Sequence, residues 1–225
     1  AQAELWRRQP SSLLRQALPR EQRAGGRGAG LLGVGVQVRR GDACERWAAA
    51  GDGDDLPAAG GRPCYRASEY VSAAAAVLAR LRARLPPSSP LAGREPVLLL
   101  ASDSPRAEHE VREAMRSSDA MAGVRLLAVA SPRGEAWGGV EEGANVGKRR
   151  AAAKRGFIEA RNAAGLVNRT ANFAALSADL RLLSASHGFV GTAASWTSRL
   201  ALLAITGERG ALPPFVMLDR PLGQL

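Results

Sequence analysis

Lysine is almost missing from this chain of 225 residues: Lys148 and Lys154 are the two present, so nearly all of the 31 basic side chains are arginine. Aromatics make up 4% of the residues, and there are two cysteines and two histidines. Each scarcity excludes something. A net charge of +10 would ordinarily raise nucleic-acid binding, yet such binding also wants aromatic side chains among the cations for bases to stack on. The one dense basic cluster, Lys148-Arg149-Arg150 with Lys154-Arg155, has none interleaved. The remaining arginines are spread through an Ala/Gly/Arg-rich background, so nucleic acid is not an expected partner. His109 and His187 are far apart in the chain, and with Cys44 and Cys64 they do not compose a zinc ligand set, so no metal is expected.

Long apolar runs are missing too. The alanine-rich run 73–79 is far shorter than a membrane span and is closed by Arg80, Arg82 and Arg84, so no membrane segment is expected. No signal-peptide pattern opens the chain, which starts at Ala1; loss of an upstream part is the expectation, and targeting is not legible. Cys44 and Cys64 flank a Gly/Asp-rich loop, which they either close as a disulfide in an oxidising compartment or leave open as two thiols.

What is present is enough apolar residue, 46%, to bury one sizeable core. Residues 1–30 read as a helical segment, about 4–23, with a Gly-rich linker; 31–225 read as one domain. Within it the apolar runs near 33–38, 97–101, 124–129, 188–191 and 215–218 are strands, too continuous for a sheet solvated on one face. Between them, helical spacing sets Tyr70, Ala74, Val77, Leu78, Leu81 and Leu85 on one stripe, ended by Pro86-Pro87. Further helices are expected from near Arg106 with Val111 and Met115 inward, from 172 to 186 presenting Phe173, Leu176, Leu180 and Leu183, and from 196 to 206. Residues 51–63 and 131–147 read as loops, and 148–164 as a polar helix. Strands alternating with helices predict βαβ units: a Rossmann-like α/β fold with a parallel sheet flanked by helices.

Parallel strands share a carboxyl edge, and ligands of such sheets sit there. The first strand ends in Arg39, Arg40 and Asp42, the second in Asp103 and Ser104, and the fourth in Thr192 and Ser195 at a helix start. Guanidiniums facing the unsatisfied N–H groups of a helix start suit a diphosphate. Neither G-x-x-x-x-G-K-[ST] nor a G-x-G-x-x-G after the first strand occurs, which argues against a P-loop or an NAD site. Plainer readings stand beside these. Arg39 and Arg40 could be an exposed basic loop, Asp103-Ser104 a helix cap, Ser195 an N-cap, and Asp179 a solvent-facing residue. Asn168-Arg-Thr170 is a glycosylation triplet, His187 a packed or exposed residue, and Arg199 a brace or the partner of an acid.

Three motifs, V-Q-V-R-R-G-D at 36–42, A-S-D-S-P at 101–105 and D-L-R-L-L-S at 179–184 running on to G-F-V-G-T-x-x-S-x-x-S-R at 188–199, come in an order that resembles the α1,6-fucosyltransferases. Asp179 stands sixteen residues before Ser195, the spacing of that family. Cys64-Tyr-Arg-Ala-Ser-Glu-Tyr70 is similar to its P-x-x-E-Y helix start, and Asn168-Arg-Thr170 to its N-R-Y-T segment; the likeness covers roughly 5–205. The resemblance implies the nucleotide-sugar half of an inverting, metal-independent GT-B glycosyltransferase. Its donor would be GDP-fucose, its acceptor a glycan or glycoprotein, and its compartment the Golgi. Protein O-fucosyltransferases belong to the same superfamily and share the implied donor. On this resemblance Arg39 would hold the pyrophosphate, Arg40 would brace the loop or reach the donor, and Asp179 would read the guanine N–H edge. Ser195 and Thr192 would bind phosphate and Asp103 would line the donor pocket. Glu45, or failing it Asp42, would be the acceptor base.

The sequence departs from the family at Gln37 (histidine there), Ala43 (lysine), Ser104 (a second acid) and Trp196 (often glutamine). Too little chain precedes residue 33 for the other lobe of a GT-B enzyme, so an acceptor lobe is expected to be absent, trimmed or supplied elsewhere. A non-catalytic domain that binds a nucleotide or glycan is the alternative of a different class.

Overall fold

The computed structural model describes residues 31–39, 64–104, 106–128 and 169–220. The expected helices at 4–23 and 148–164, the loops at 51–63 and 131–147, Asn168, Arg40, Asp42, Cys44 and Glu45 lie outside the described residues. In chain order the elements are β1 (Leu31–Val38), α1 (Ala67–Arg84), β2 (Glu95–Ser102), α2 (Ala107–Arg116) and β3 (Arg125–Ala128). α3 (Arg169–Ser184), β4 (Gly188–Gly191), α4 (Trp196–Arg209) and β5 (Phe215–Met217) complete the described chain. The strands form one sheet in the order β3-β2-β1-β4-β5, and every pairing is parallel. The fold is therefore α/β, with a five-stranded parallel sheet covered on both faces. That double cover explains why β1 and β2 are almost entirely buried and read as unbroken apolar runs.

Alternation along β1 splits the core in two. Leu32, Val34, Val36 and Val38 join the cluster made with Tyr70, Val77, Leu78 and Leu81 of α1 and Val111 of α2. The opposite face carries Gly33 and Gly35, and there α3 comes close. A Cβ on Gly35 would stand 2.8 Å from Ser186 Oγ and 3.2 Å from Leu183 Cδ2, so a glycine is required for this approach. α1 opens on Glu69, whose carboxylate accepts from Arg66 N at 2.6 Å. It stops at Leu85, which turns extended ahead of Pro86. α4 opens on Ser195 and ends at Gly210 in the left-handed region, φ 70°.

One expectation is corrected. Of the expected stripe on α3, Leu183 is buried and Leu180 packs against the core, but Phe173 is 64% exposed, and the buried side chains described in the helix are Ala175, Asp179, Leu182 and Leu183. Polar and apolar residues are mixed around this helix without one clear apolar face, so hydrophobicity does not select its inward side; the close contact of Leu183 over Gly35 does. Asp179 accordingly faces the sheet and not the solvent.

Candidate functional site

The chain leaves β1 for β2 and β3 on one side and returns to β4 on the other. Strand order thus reverses between β1 and β4, and in such sheets the crevice for ligands opens beyond the carboxyl ends at that reversal. The residues singled out from the sequence fall around it. Val38 pairs in register with Ser102, which brings the next residues, Arg39 and Asp103, abreast. Arg39 Nε and Asp103 Oδ2 are 3.2 Å apart, both partly buried. Ser102 Oγ donates to Val38 O at 2.9 Å and accepts from Ser104 N at 3.1 Å, while Ser104 Oγ accepts from Arg106 N at 3.3 Å. Ser104 rather than Asp103 therefore shapes the start of α2, and the Asp103 carboxylate turns to Arg39.

Across the crevice, Gln37, Thr192, Ser195 and Ser198 are all buried and linked. Thr192 N donates to Ser198 Oγ at 3.1 Å, Ser198 Oγ donates to Gln37 Oε1 at 2.6 Å, and Ser198 N donates to Ser195 Oγ at 3.4 Å. Because Ser198 Oγ already accepts from Thr192 N, its own proton goes to Gln37, which fixes the amide with its oxygen toward α4. Gln37 is 2% exposed, with its Oε1 taken up by Ser198. Gly191 makes this linkage possible: a Cβ there would lie 2.6 Å from Ser198 Oγ.

Asp179 belongs to the same region. α3 runs antiparallel to the strands, and Leu183 lies level with Gly35. One helical turn back, about 6 Å, matches two strand residues, about 6.6 Å, so Asp179 stands at the height of Gln37 on the same face. Asp179 is 2% exposed, an unusual burial for aspartate.

Two further residues shape the crevice that sequence reasoning missed. Asp219, just past β5, accepts from Ala193 N (2.6 Å) and Ala194 N (2.7 Å), one through each carboxylate oxygen. Ser198 lies inside the G-F-V-G-T-x-x-S-x-x-S-R motif and links Gln37 to Thr192. Nothing in sequence spacing links Asp219 to a loop 25 and 26 residues earlier; its place after the last strand was the only signal. Tyr65 is near it: burial first, then the charges of Asp219 and Glu69, push the phenol above its usual pKa. Trp196 is 66% exposed beside Ser195, and the Arg199 guanidinium lies 4.4 Å from the centre of its ring. The brace expected of Arg199 is thus a cation–π contact. Cys64 is disulfide-bonded.

His187 is at the other edge of the sheet. Its Nδ1 accepts from Gly33 N at 3.2 Å, and its own N–H donates to Gly33 O at 2.6 Å. Burial, with the nearby Arg209 charge, lowers its pKa from 6.5 to about 4. Arg209 itself donates to the carbonyls of Ser186 and, at 3.0 Å, Ala185. These groups pin α3 and β4 to β1 away from the crevice.

Among the described residues no group of three or more His, Cys, Asp or Glu is placed to hold a metal, and no helix is long and apolar enough to cross a membrane. Compared with known proteins, the chain matches no family model and no curated protein.

Proposed function

We propose that this domain binds the nucleotide of a GDP-sugar in the β1/β4 crevice and serves as the donor half of a fucosyltransferase-like glycosyltransferase. The observation that carries the reading is the buried Asp179 at the height of Gln37. Two adjacent guanine N–H groups call for an acceptor such as this carboxylate, and the Nε2 donor of Gln37 answers a base carbonyl; adenine offers neither pattern in that arrangement. Gln37 thus supplies with an amide what the family supplies with histidine.

The diphosphate extends from the base toward Arg39, Ser195 and Thr192. Arg39 meets phosphate oxygens as a planar fork, and the start of α4 adds backbone N–H groups and its dipole. In transfer, the bond from the sugar's anomeric carbon to the β-phosphate oxygen breaks with its electron pair going to GDP. The acceptor hydroxyl oxygen bonds the opposite face of that carbon and its proton passes to a carboxylate, Glu45 or Asp42. Charge grows on the departing diphosphate, where the Arg39 guanidinium and the helix N–H groups stabilise it, with Arg40 as a second cation. The acceptor is a glycan or glycoprotein, and the Golgi is the compartment in keeping with it.

One observation favours the second reading, a domain that binds a nucleotide or glycan without transfer. Arg39 is engaged with Asp103, and two of the loop N–H groups with Asp219, so part of the phosphate machinery is internally satisfied. Calorimetric titration with GDP, ADP and GDP-fucose, followed by an assay for donor hydrolysis, separates the two. GDP binding with a preference over ADP supports the donor site; turnover supports the transferase.

A further inference from the structure

The carboxylate of Asp219 bridges the N–H groups of Ala193 and Ala194 in the loop that leads from β4 into α4. A carboxylate on two successive backbone N–H groups has the geometry of a bound phosphate edge, two oxygens on two parallel donors. It sits where the β4 end meets the crevice, next to Thr192 and Ser195. We infer that Asp219 is an internal competitor: it occupies the N–H donors of the phosphate-binding loop and is displaced when a diphosphate arrives. This rests on the reading of the crevice as a nucleotide-diphosphate site.

Three features favour displacement over a purely structural role. The loop keeps its conformation by other bonds, namely Thr192 N to Ser198 Oγ at 3.1 Å, Ser195 N to Thr192 O at 3.1 Å and Leu218 N to Gly191 O at 2.9 Å. Losing Asp219 therefore leaves the donors aimed. The contact is at the surface, with Ala194 exposed and Asp219 half-buried, so the released carboxylate returns to water at little cost. Finally, Arg220 is exposed beside Asp219, a cation next to the released carboxylate. An anion that enters exchanges one pair of charge-assisted hydrogen bonds for another; the protein never holds bare donors. The consequence is a site weaker for phosphate than its donors alone would make it, and quicker to release a diphosphate product.

The test is calorimetric titration of pyrophosphate, GDP and ADP into the wild type, Asp219→Asn and Asp219→Ala, with amide spectra of the wild type. Removing the competitor is expected to tighten pyrophosphate and GDP by about tenfold in Asp219→Ala, and by less in Asp219→Asn, which keeps one carbonyl acceptor. The Ala193 and Ala194 amide resonances of the wild type should move on saturation with pyrophosphate. Unchanged or weaker binding by a folded variant, or amides that stay still, overturns the inference; if Asp219→Ala does not fold, Asp219→Asn and the wild-type amides decide. A preference for GDP over ADP without tightening leaves the guanine-site reading standing and removes this one. Tightening of pyrophosphate with no preference for GDP does the reverse.

Discussion

Ser198 on α4 donates its hydroxyl proton to Gln37 on β1 across 2.6 Å, joining residues 161 apart in the sequence. This one bond ties the central strand to the helix that begins at the candidate phosphate loop, and it holds the Gln37 amide with its oxygen toward α4. Ser198→Ala should therefore strand two buried groups at once, Gln37 Oε1 and Thr192 N, and cost about 1–3 kcal/mol of stability. Urea unfolding checks this. The double variant with Gln37→Leu should lose less than the sum of the singles, because the two residues act as a unit.

Gly191→Ala puts a methyl 2.6 Å from Ser198 Oγ and 2.8 Å from the Phe189 ring. The ring is in the core and cannot retreat, so Ser198 must give way. The expected result is a loss of about 1–3 kcal/mol together with weaker GDP binding. Gly207→Ala, which meets nothing within 4 Å, is the control and should be neutral or slightly stabilising by helix propensity.

Arg39 pairs with Asp103 at a partly exposed position. Arg39→Ala should cost about 1 kcal/mol in stability, the scale of an ion pair that water still reaches, while weakening GDP by about tenfold or more. Arg39→Lys keeps the charge and loses the fork, and should recover little of the affinity. Equal losses in stability and affinity would assign Arg39 to the scaffold.

His187 predicts a pH effect unconnected with the crevice. Its folded pKa, about 4, is below its ordinary 6.5, so the unfolded chain takes up a proton before the folded one does. The stabilising contribution is complete above about pH 6.5 and is lost as pH falls from there toward 4. Discounted for partial exposure, it amounts to about 1–2 kcal/mol. Unfolding free energies at pH 7 and pH 5 should differ by more in the wild type than in His187→Gln.

Much of this fold was legible because its signals are local. The runs at 97–101 and 188–191 are strands because both faces of the sheet are covered, and Pro86 and Gly210 stop helices by their own backbone limits. What stayed illegible depends on partners distant in sequence. α3 has no single apolar face, so its close approach over Gly35, on another element, decides that Asp179 turns inward. Asp219 has no periodic or motif signal, and its role arises from two backbone N–H groups that any residue at 193 and 194 other than proline would provide. Ser104 and Asp103 are neighbours with similar capping tendencies, and only the strand register that sets Arg39 beside Asp103 separates their roles.

The central claim is that a buried carboxylate at the strand reversal selects guanine. Calorimetric titration of GDP and ADP into the wild type and Asp179→Asn tests it most directly. The account predicts that the wild type binds GDP in preference to ADP, and that a folded Asp179→Asn loses that preference while keeping its affinity for pyrophosphate. Equal binding of GDP and ADP by the wild type, or a preference that survives in Asp179→Asn, would contradict it.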